Sequence, residues 1–329
     1  MSEQLVEIWR GDMIESIHAG HAVVARASGE VVAAWGAPDT VIYPRSSCKM
    51  IQALPLIESG AAAAAGLGDE HLALACASHQ GADIHTRRVG DWLSALGLSE
   101  ADLLCGPQMP NDRPARDELR QTQAEPDQRH NNCSGKHCGF LTLGKHLGGG
   151  ADYIDTQHPV QVAVRAAFEE MTGETSPRFA TDGCSAPNFA CTVAGLATAA
   201  ARMADPGGGA RGDAARRLVA AMAAHPLLVA GNGRACSELM EAMDGTVVKT
   251  GAEGVFVAIV PSRGLGVALK ISDGATRASE AAMAALLVGL GVLDPKHPAT
   301  LRRAPAEIRN RRSILTGHVR PIAALSQPI

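Results

Sequence analysis

The chain has 329 residues, 46% of them hydrophobic, and its 30 basic and 34 acidic side chains leave a net charge of −4. Charge this balanced, with no long single-sign run, excludes a nucleic-acid surface or a membrane-binding face. No apolar span of about 18 residues is present to cross a bilayer. Met1 to Arg10 carries Glu3, Glu7 and Arg10 and lacks the apolar run of a secretory signal, so the expected address is cytoplasmic. There, the eight cysteines read as thiols, core residues or metal ligands, not as disulfides.

Leu5 to Trp9 reads as a first strand, and His21 to Trp35 as a hairpin about the Ser28-Gly29 turn. Tyr43-Pro44-Arg45-Ser46-Ser47-Cys48-Lys49-Met50 follows as a strand exit into a helix, with Ser46 or Ser47 as the expected cap. Gly60 to Gly68 is a small-residue linker. The apolar run His71 to Ala77 ends in Ser78-His79-Gln80-Gly81, which places Ser78 at a rim. Helices are expected at Thr86 to Leu96 and Ser99 to Leu104, and residues 106 to 130 form an ordered surface excursion or lid.

Asn131 to Cys138 opens a helix through Leu143. Alanine-rich amphipathic helices are then expected at His158 to Thr172, Asn188 to Met203, Ala210 to Ala224 and Val229 to Met243. From Thr246 the period returns to that of strands: Val247-Val248, Val255 to Val260 and Leu265 to Ile271, before a helix from Ala275 to Leu290. Strands bracketing a helical middle exclude a doubly wound parallel sheet. The expected fold class is α+β: one antiparallel sheet made of both chain ends (about 1–45 and 245–329), flanked by helices, with a mainly helical region at about 46–244, all in a single domain.

Ser46 and Lys49 stand three residues apart, so their side chains share one face of a first helical turn. An uncharged lysine there can take the serine proton, which is the logic of an S-x-x-K nucleophile-base pair. Lys249-Thr250-Gly251 at a strand end supplies the second motif. S-x-x-K and a late K-T-G, in this order, are the pairing of serine β-lactamases and penicillin-binding proteins. A second lysine facing Lys49 also favours an uncharged amine through like-charge repulsion. Ser78 either relays a proton to Lys249 or caps a helix. A third constellation, Cys133, Lys136, His137 and Cys138 with the distant Cys184, has metal-ligand character, because Cys133 and Cys184 sit in polar, glycine-containing loops.

Taken together, Arg45-Ser46-Ser47-Cys48-Lys49, Cys76-Ala77-Ser78-His79, Asn132-Cys133-Ser134-Gly135-Lys136-His137, Thr181-Asp182-Gly183-Cys184, His225-Pro226 with Gly231-Asn232-Gly233-Arg234, and Lys249-Thr250-Gly251-Ala252-Glu253-Gly254 resemble, in order, the zinc-containing serine-lysine L-asparaginases of the asparaginase II type. The resemblance spans nearly the whole chain. It implies a β-lactamase-like fold and hydrolysis of L-asparagine to L-aspartate and ammonia, with catalysis by two tandems that map to Ser46 with Lys49 and Ser78 with Lys249. It implies one zinc ion on Cys133, Lys136 and Cys184, and a homodimer. Asp182 matches the carboxylate that holds the substrate's α-amino group, and Arg45, His79 and Glu253 are further substrate-binding candidates. The chain departs from the family pattern at Met50, where proline is common, and in the extra thiols Cys48 and Cys138. The alternatives are a related hydrolase acting on another amide, such as L-glutamine or a cell-wall peptide, and a non-catalytic zinc or thiol sensor.

Overall fold

A computed structural model describes Met1 to Ile329. Its strands are β1 (Glu3–Arg10), β2 (Met13–Arg26), β3 (Val31–Trp35), β4 (Val41–Ile42), β5 (Phe179–Thr181), β6 (Pro187–Phe189), β7 (Cys191–Thr192), β8 (Val247–Thr250), β9 (Val255–Val260), β10 (Leu265–Ile271), β11 (Ala306–Arg309) and β12 (Leu315–Pro321). Eight of these form one sheet in the order β11-β12-β1-β2-β10-β9-β8, with β3 paired to β2, and every pairing in it is antiparallel. The α+β class and the sheet assembled from both chain ends follow the expectation.

The chain divides into two compact units. The first comprises 1–47, 191–205 and 238–329, and the second 48–190 and 206–237. β2 organises the first. Its opening half pairs with β1, while Gly20 to Arg26 pairs with β10 on one edge and Ala22 to Ala25 with β3 on the other. All six residues of β9 are buried, which an alternating pleat requires only when both faces are covered. The helices Val193–Ala204 and Thr276–Gly289 both pack on it.

Gly266 on β10 lies where the first of these helices touches the sheet. A Cβ there would stand 2.1 Å from Ala201 N and 2.2 Å from Ala197 O. Both are backbone atoms that no rotamer change can move. Gly266→Ala is therefore expected to destabilise the protein by about 3 kcal/mol or more, read as a lowered midpoint in urea; a loss under about 0.5 kcal/mol would contradict this close approach.

The second unit is built around the helix Ser134–His146, in which Ser134 to Phe140 and Thr142 to Gly144 are all buried. Neighbours include the helices Leu54–Glu58, Asp69–Ala75, Asp83–Ala95 and Pro159–Thr172. Gly135 allows one of these contacts, since a Cβ there would meet Leu74 O at 2.3 Å. Within the core, Trp92 Nε1 donates to Thr142 Oγ1 at 3.1 Å.

Six expectations need correction. Ser99 to Leu104 is no α-helix: it holds a 3₁₀ turn, Glu100–Asp102, and Leu103 is already extended. The small-residue stretch Gly60 to Gly68 holds a short helix, Ala61–Ala64. Neither serine caps a helix after Pro44: Arg45–Cys48 is a 3₁₀ turn, the helix starts at Lys49 with no side-chain cap, and the Ser47 hydroxyl donates back to Pro44 O at 2.7 Å. Asn188 is not helical. It lies in β6, β7 follows, and the helix begins only at Val193, where Thr192 Oγ1 accepts from Gly195 N at 2.9 Å. The helix expected over Val229 to Met243 is two helices, Pro226–Val229 and Ala235–Glu241, parted by Gly231 and Gly233 at φ 114° and 71°, values a right-handed helix excludes. Finally, the segment 106–130 holds a helix, Arg113–Thr122, capped by Asp112 and without a buried residue. No helix in the chain is long and apolar enough to cross a membrane.

Candidate active site

In the sheet unit, the 3₁₀ turn leaves Ser46 half-buried while Ser47 is fully buried. Only the first hydroxyl is therefore open to a ligand. The K-T-G motif lies directly against this turn. β8 carries Lys249 and Thr250, and at Gly251 a Cβ would come within 2.6 Å of Pro44 O and 3.2 Å of Ser47 N. Glycine is required by that approach, not by its φ. Lys249 is wholly buried, and its Nζ donates to Thr250 O at 2.8 Å.

In the helical unit, Lys49 is 1% exposed at the first position of its helix. Its Nζ donates to Ala77 O at 2.5 Å and to Ser78 Oγ at 3.0 Å. Both partners are uncharged, which is unusual company for a buried amine. Ser78 is 7% exposed and follows a helix end, with its own N–H on Val229 O at 2.9 Å. The capping alternative for Ser78 is thus excluded. The lysine of the S-x-x-K motif has the later serine as a hydrogen-bond partner.

His79 is completely buried, with Nε2 2.9 Å from Ser134 Oγ and Nδ1 accepting from Gly81 N at 3.2 Å. Burial, and then the neighbouring His85 and Lys49, lower its pKa well below the usual histidine range. With both ring nitrogens engaged inside the protein, it holds the Ser78 loop in place and presents no nitrogen to a substrate.

A thiol cluster joins the start of the Ser134–His146 helix to the turn between β5 and β6. Cys184 sits in that turn, where Ser185 takes a left-handed φ of 69°; Asp182 N donates to Ala186 O and Ser185 N to Asp182 O, each at 2.9 Å. Cys133, Cys184 and Lys136 are 3%, 3% and 4% exposed. Lys136 Nζ donates to Cys184 Sγ at 3.1 Å, and Cys133 Sγ lies 3.0 Å from Asn132 Oδ1. A hydrogen bond from Cys133, then Lys136 and His137, hold Cys184 far below the ordinary thiol range against the cost of burial. That same hydrogen bond, together with burial, pushes Cys133 up. Cys184 takes the Lys136 hydrogen bond while Cys133 Sγ donates to Asn132 Oδ1, so Cys184 is the thiol placed to lose its proton. Burial pulls the Lys136 amine down, but the two sulfurs outweigh it and the amine stays charged above its usual value.

No three His, Cys, Asp or Glu side chains converge as a ready-made metal cage. A metal at this cluster would have two sulfurs and must take its third protein ligand from Lys136, the set that the resemblance implies. Two soft thiolates and an amine in a buried pocket fit zinc. Metal ligation needs thiolates and an uncharged amine, so loading this cluster would release protons.

The remaining candidates lie in strained or turn backbone. Arg45 and Glu253 are non-glycine residues at φ 55° and 58°, a region that costs of the order of 1 kcal/mol or more and persists where surrounding structure imposes it. Glu253 is exposed, and Lys270 Nζ donates to its carbonyl. Asp182 is half-buried; its Oδ1 accepts from Gly183 N at 2.8 Å and its Oδ2 lies 4.0 Å from Cys184 Sγ. Sequence reasoning gave no role to Tyr153, whose hydroxyl is 2.9 Å from His137 Nδ1. The ligand-like spacing of the cysteines had drawn attention to His137, but nothing in the sequence linked it to a tyrosine 16 residues away.

Among solved structures, the chain is similar to a β-lactamase from Mycobacterium bovis, at 14% identity over 79% of this chain and 89% of that one, with a TM-score of 0.42. It is also similar to Mglu in its native form, at 14% identity over 84% of this chain and 66% of that one, with a TM-score of 0.48. No curated protein matches it in sequence. Residues 6–321, which include every motif described above, match the L-asparaginase II family, and the chain belongs to that family.

Proposed function

We propose that the protein hydrolyses L-asparagine to L-aspartate and ammonia, with Ser46 as nucleophile and Lys49 as its base. The observation that carries the reading is the buried Lys49 amine, held by a carbonyl and the Ser78 hydroxyl at 3.0 Å and by no carboxylate. An amine held this way lies three residues after a serine that a ligand can reach. Ser46 Oγ adds to the side-chain amide carbon as its proton passes to Lys49 Nζ. Lys49 then protonates the departing nitrogen, ammonia leaves, and a Ser46 ester remains. Water, deprotonated by the same amine, cleaves the ester to release aspartate and restore the hydroxyl. Ser78 keeps the Lys49 amine on one trajectory, and the buried Lys249, at the strand end packed on the Ser46 turn, adds positive charge where the oxyanion forms.

A free amino acid carries an ammonium and a carboxylate, and the site must answer both. Asp182 suits the ammonium and Arg45 the carboxylate, the latter through a bidentate pair. Zinc on Cys133, Lys136 and Cys184, when bound, supplies a fixed positive charge that orients the substrate and ties the two cysteine loops together. A homodimer belongs to the same reading.

The test is ammonia release by metal-replete protein from L-asparagine and, separately, from L-glutamine. Release from asparagine at a kcat/KM at least tenfold above that for glutamine is expected, since one methylene is worth about 1–3 kcal/mol in a pocket. A preference for glutamine would reassign the substrate. Release from neither would overturn the amidohydrolase reading and leave the thiol cluster as a sensor.

A further inference from the structure

β10 is a central strand, and Lys270 is its one residue that is not buried, lying half-buried opposite His21 on β2 and Val255 on β9. A lysine in such a place ordinarily turns its amine out to water. Here the amine is engaged within the sheet unit: Nζ donates to the carbonyl of Glu253, in the turn that joins β8 to β9. Lys249 stands opposite Val257 and Lys270 opposite Val255, and residues two apart on a strand share a face. Lys270 therefore projects from the same face of the sheet as the K-T-G lysine.

That turn needs holding. Glu253 and Gly254 are both left-handed, at φ 58° and 68°, and for a glutamate the surroundings must impose that conformation. Across the hairpin, Gly251 N donates to Val255 O at 2.7 Å, but the bond from Val255 N to Ala252 O is long, at 3.4 Å. β10 supplies what the hairpin lacks. Ile271 N donates to Gly254 O at 3.0 Å, and Lys270 Nζ takes the carbonyl before it. Every residue but proline would bring the amide at 271, so the side chain of Lys270 is the part of this clamp that depends on residue type. At the other end of the turn, Gly251 packs on the backbone around Ser46, where a Cβ would stand 2.6 Å from Pro44 O and 3.2 Å from Ser47 N. That contact has little slack, so movement of the turn is passed to the backbone that carries Ser46.

We infer that Lys270 is a positioning residue: by holding the Glu253 carbonyl it fixes the K-T-G turn and, through Gly251, the backbone that presents Ser46. The hold on the turn stands on the protein alone, while its effect on rate rests on the Ser46 reading given above.

The experiment has two arms that separate those claims. Both compare wild-type protein with Lys270→Met, which keeps the stem but loses the amine, and with Lys270→Arg, whose guanidinium still donates to a carbonyl. The first arm is hydrogen exchange, read by mass spectrometry on the peptide from Lys249 to Val255. Exchange about tenfold faster or more is expected in Lys270→Met, as local opening becomes easier, with Lys270→Arg close to wild type and the peptides of β2 and β10 unchanged in both. Wild-type protection of the turn in Lys270→Met overturns the inference. Faster exchange throughout the sheet also overturns it, since that marks lost stability and not a released turn. The second arm is steady-state ammonia release from L-asparagine. Lys270→Met is expected to lower kcat by about 10- to 100-fold, in line with the cost of about 10²-fold for a misplacement of about 1 Å, with KM little changed and with Lys270→Arg restoring kcat to within a few-fold of wild type. An unchanged kcat, or a loss confined to KM, overturns the positioning role. If wild-type protein releases no ammonia, the proposed function falls and the exchange arm alone decides.

Discussion

Ser46→Ala is expected to lower kcat for ammonia release from L-asparagine by about 10³-fold or more, with KM little changed, while Ser78→Ala loses about 10- to 100-fold. The difference rests on exposure and partners. Ser46 is half-buried, whereas Ser78 is 7% exposed and its hydroxyl is already bonded to Lys49 Nζ. Removing Ser46 deletes the atom that attacks. Removing Ser78 deletes one of two restraints on the base and leaves the bond to Ala77 O in place. Steady-state kinetics on both variants, with mass spectrometry of wild-type protein quenched during turnover, checks the order. A mass increase equal to an aspartyl ester on the peptide containing Ser46 is expected. If Ser78→Ala is the dead variant, or the adduct falls on the Ser78 peptide, the two serines exchange roles.

The parts of the fold that the sequence made legible are those with local signals. The Ser28-Gly29 turn, the return to strand period at Thr246 and the segment before Gly173 were each readable in a window of a dozen residues, and strands and a helix occur there. Errors came where distant partners decide conformation. Asn188 looked helical beside alanine-rich sequence, but Phe189 pairs across to Phe179, and this hairpin overrides propensity. The helix Val193–Ala204, which belonged by sequence order to the helical middle, lies in the sheet unit because small residues there allow the approach of Gly266. β12 went unread because its strand is made by pairing, with β1 on the far side of the sequence and with β11, and not by a local pattern in Leu315 to Pro321.

The site divides in the same way. S-x-x-K, K-T-G and the cysteine loops were visible as motifs, since each is contiguous. What they bond to was not: Lys49 takes Ser78, 29 positions on, and Lys136 takes Cys184, 48 positions on. His79 looked like a binding residue because it follows Ser78 in a polar cluster. Its stacking on His85 at 4.7 Å and its bond to Ser134 are tertiary facts that no spacing encodes.

Cys184→Ala, in metal-free protein, is expected to cost about 3–5 kcal/mol of stability, because it strands the Lys136 ammonium as an uncompensated buried charge. Lys136 is 4% exposed, and Cys184 Sγ at 3.1 Å is its hydrogen-bond partner. Lys136→Met leaves the opposite problem. A thiolate without its cation can bind a proton and become an ordinary buried thiol, so this change should cost less, about 1–2 kcal/mol. The double variant removes the charge and the sulfur together. If the ion pair is what Cys184→Ala breaks, adding Lys136→Met should recover at least about 1.5 kcal/mol relative to the single variant, and the coupling energy in the cycle is large and favourable. Urea unfolding at constant pH with chelator present measures all four proteins. Additive losses would show that sulfur and amine are not paired. A small loss in Cys184→Ala alone would mean that the amine is already neutral, and then zinc could load at Lys136 without releasing its proton.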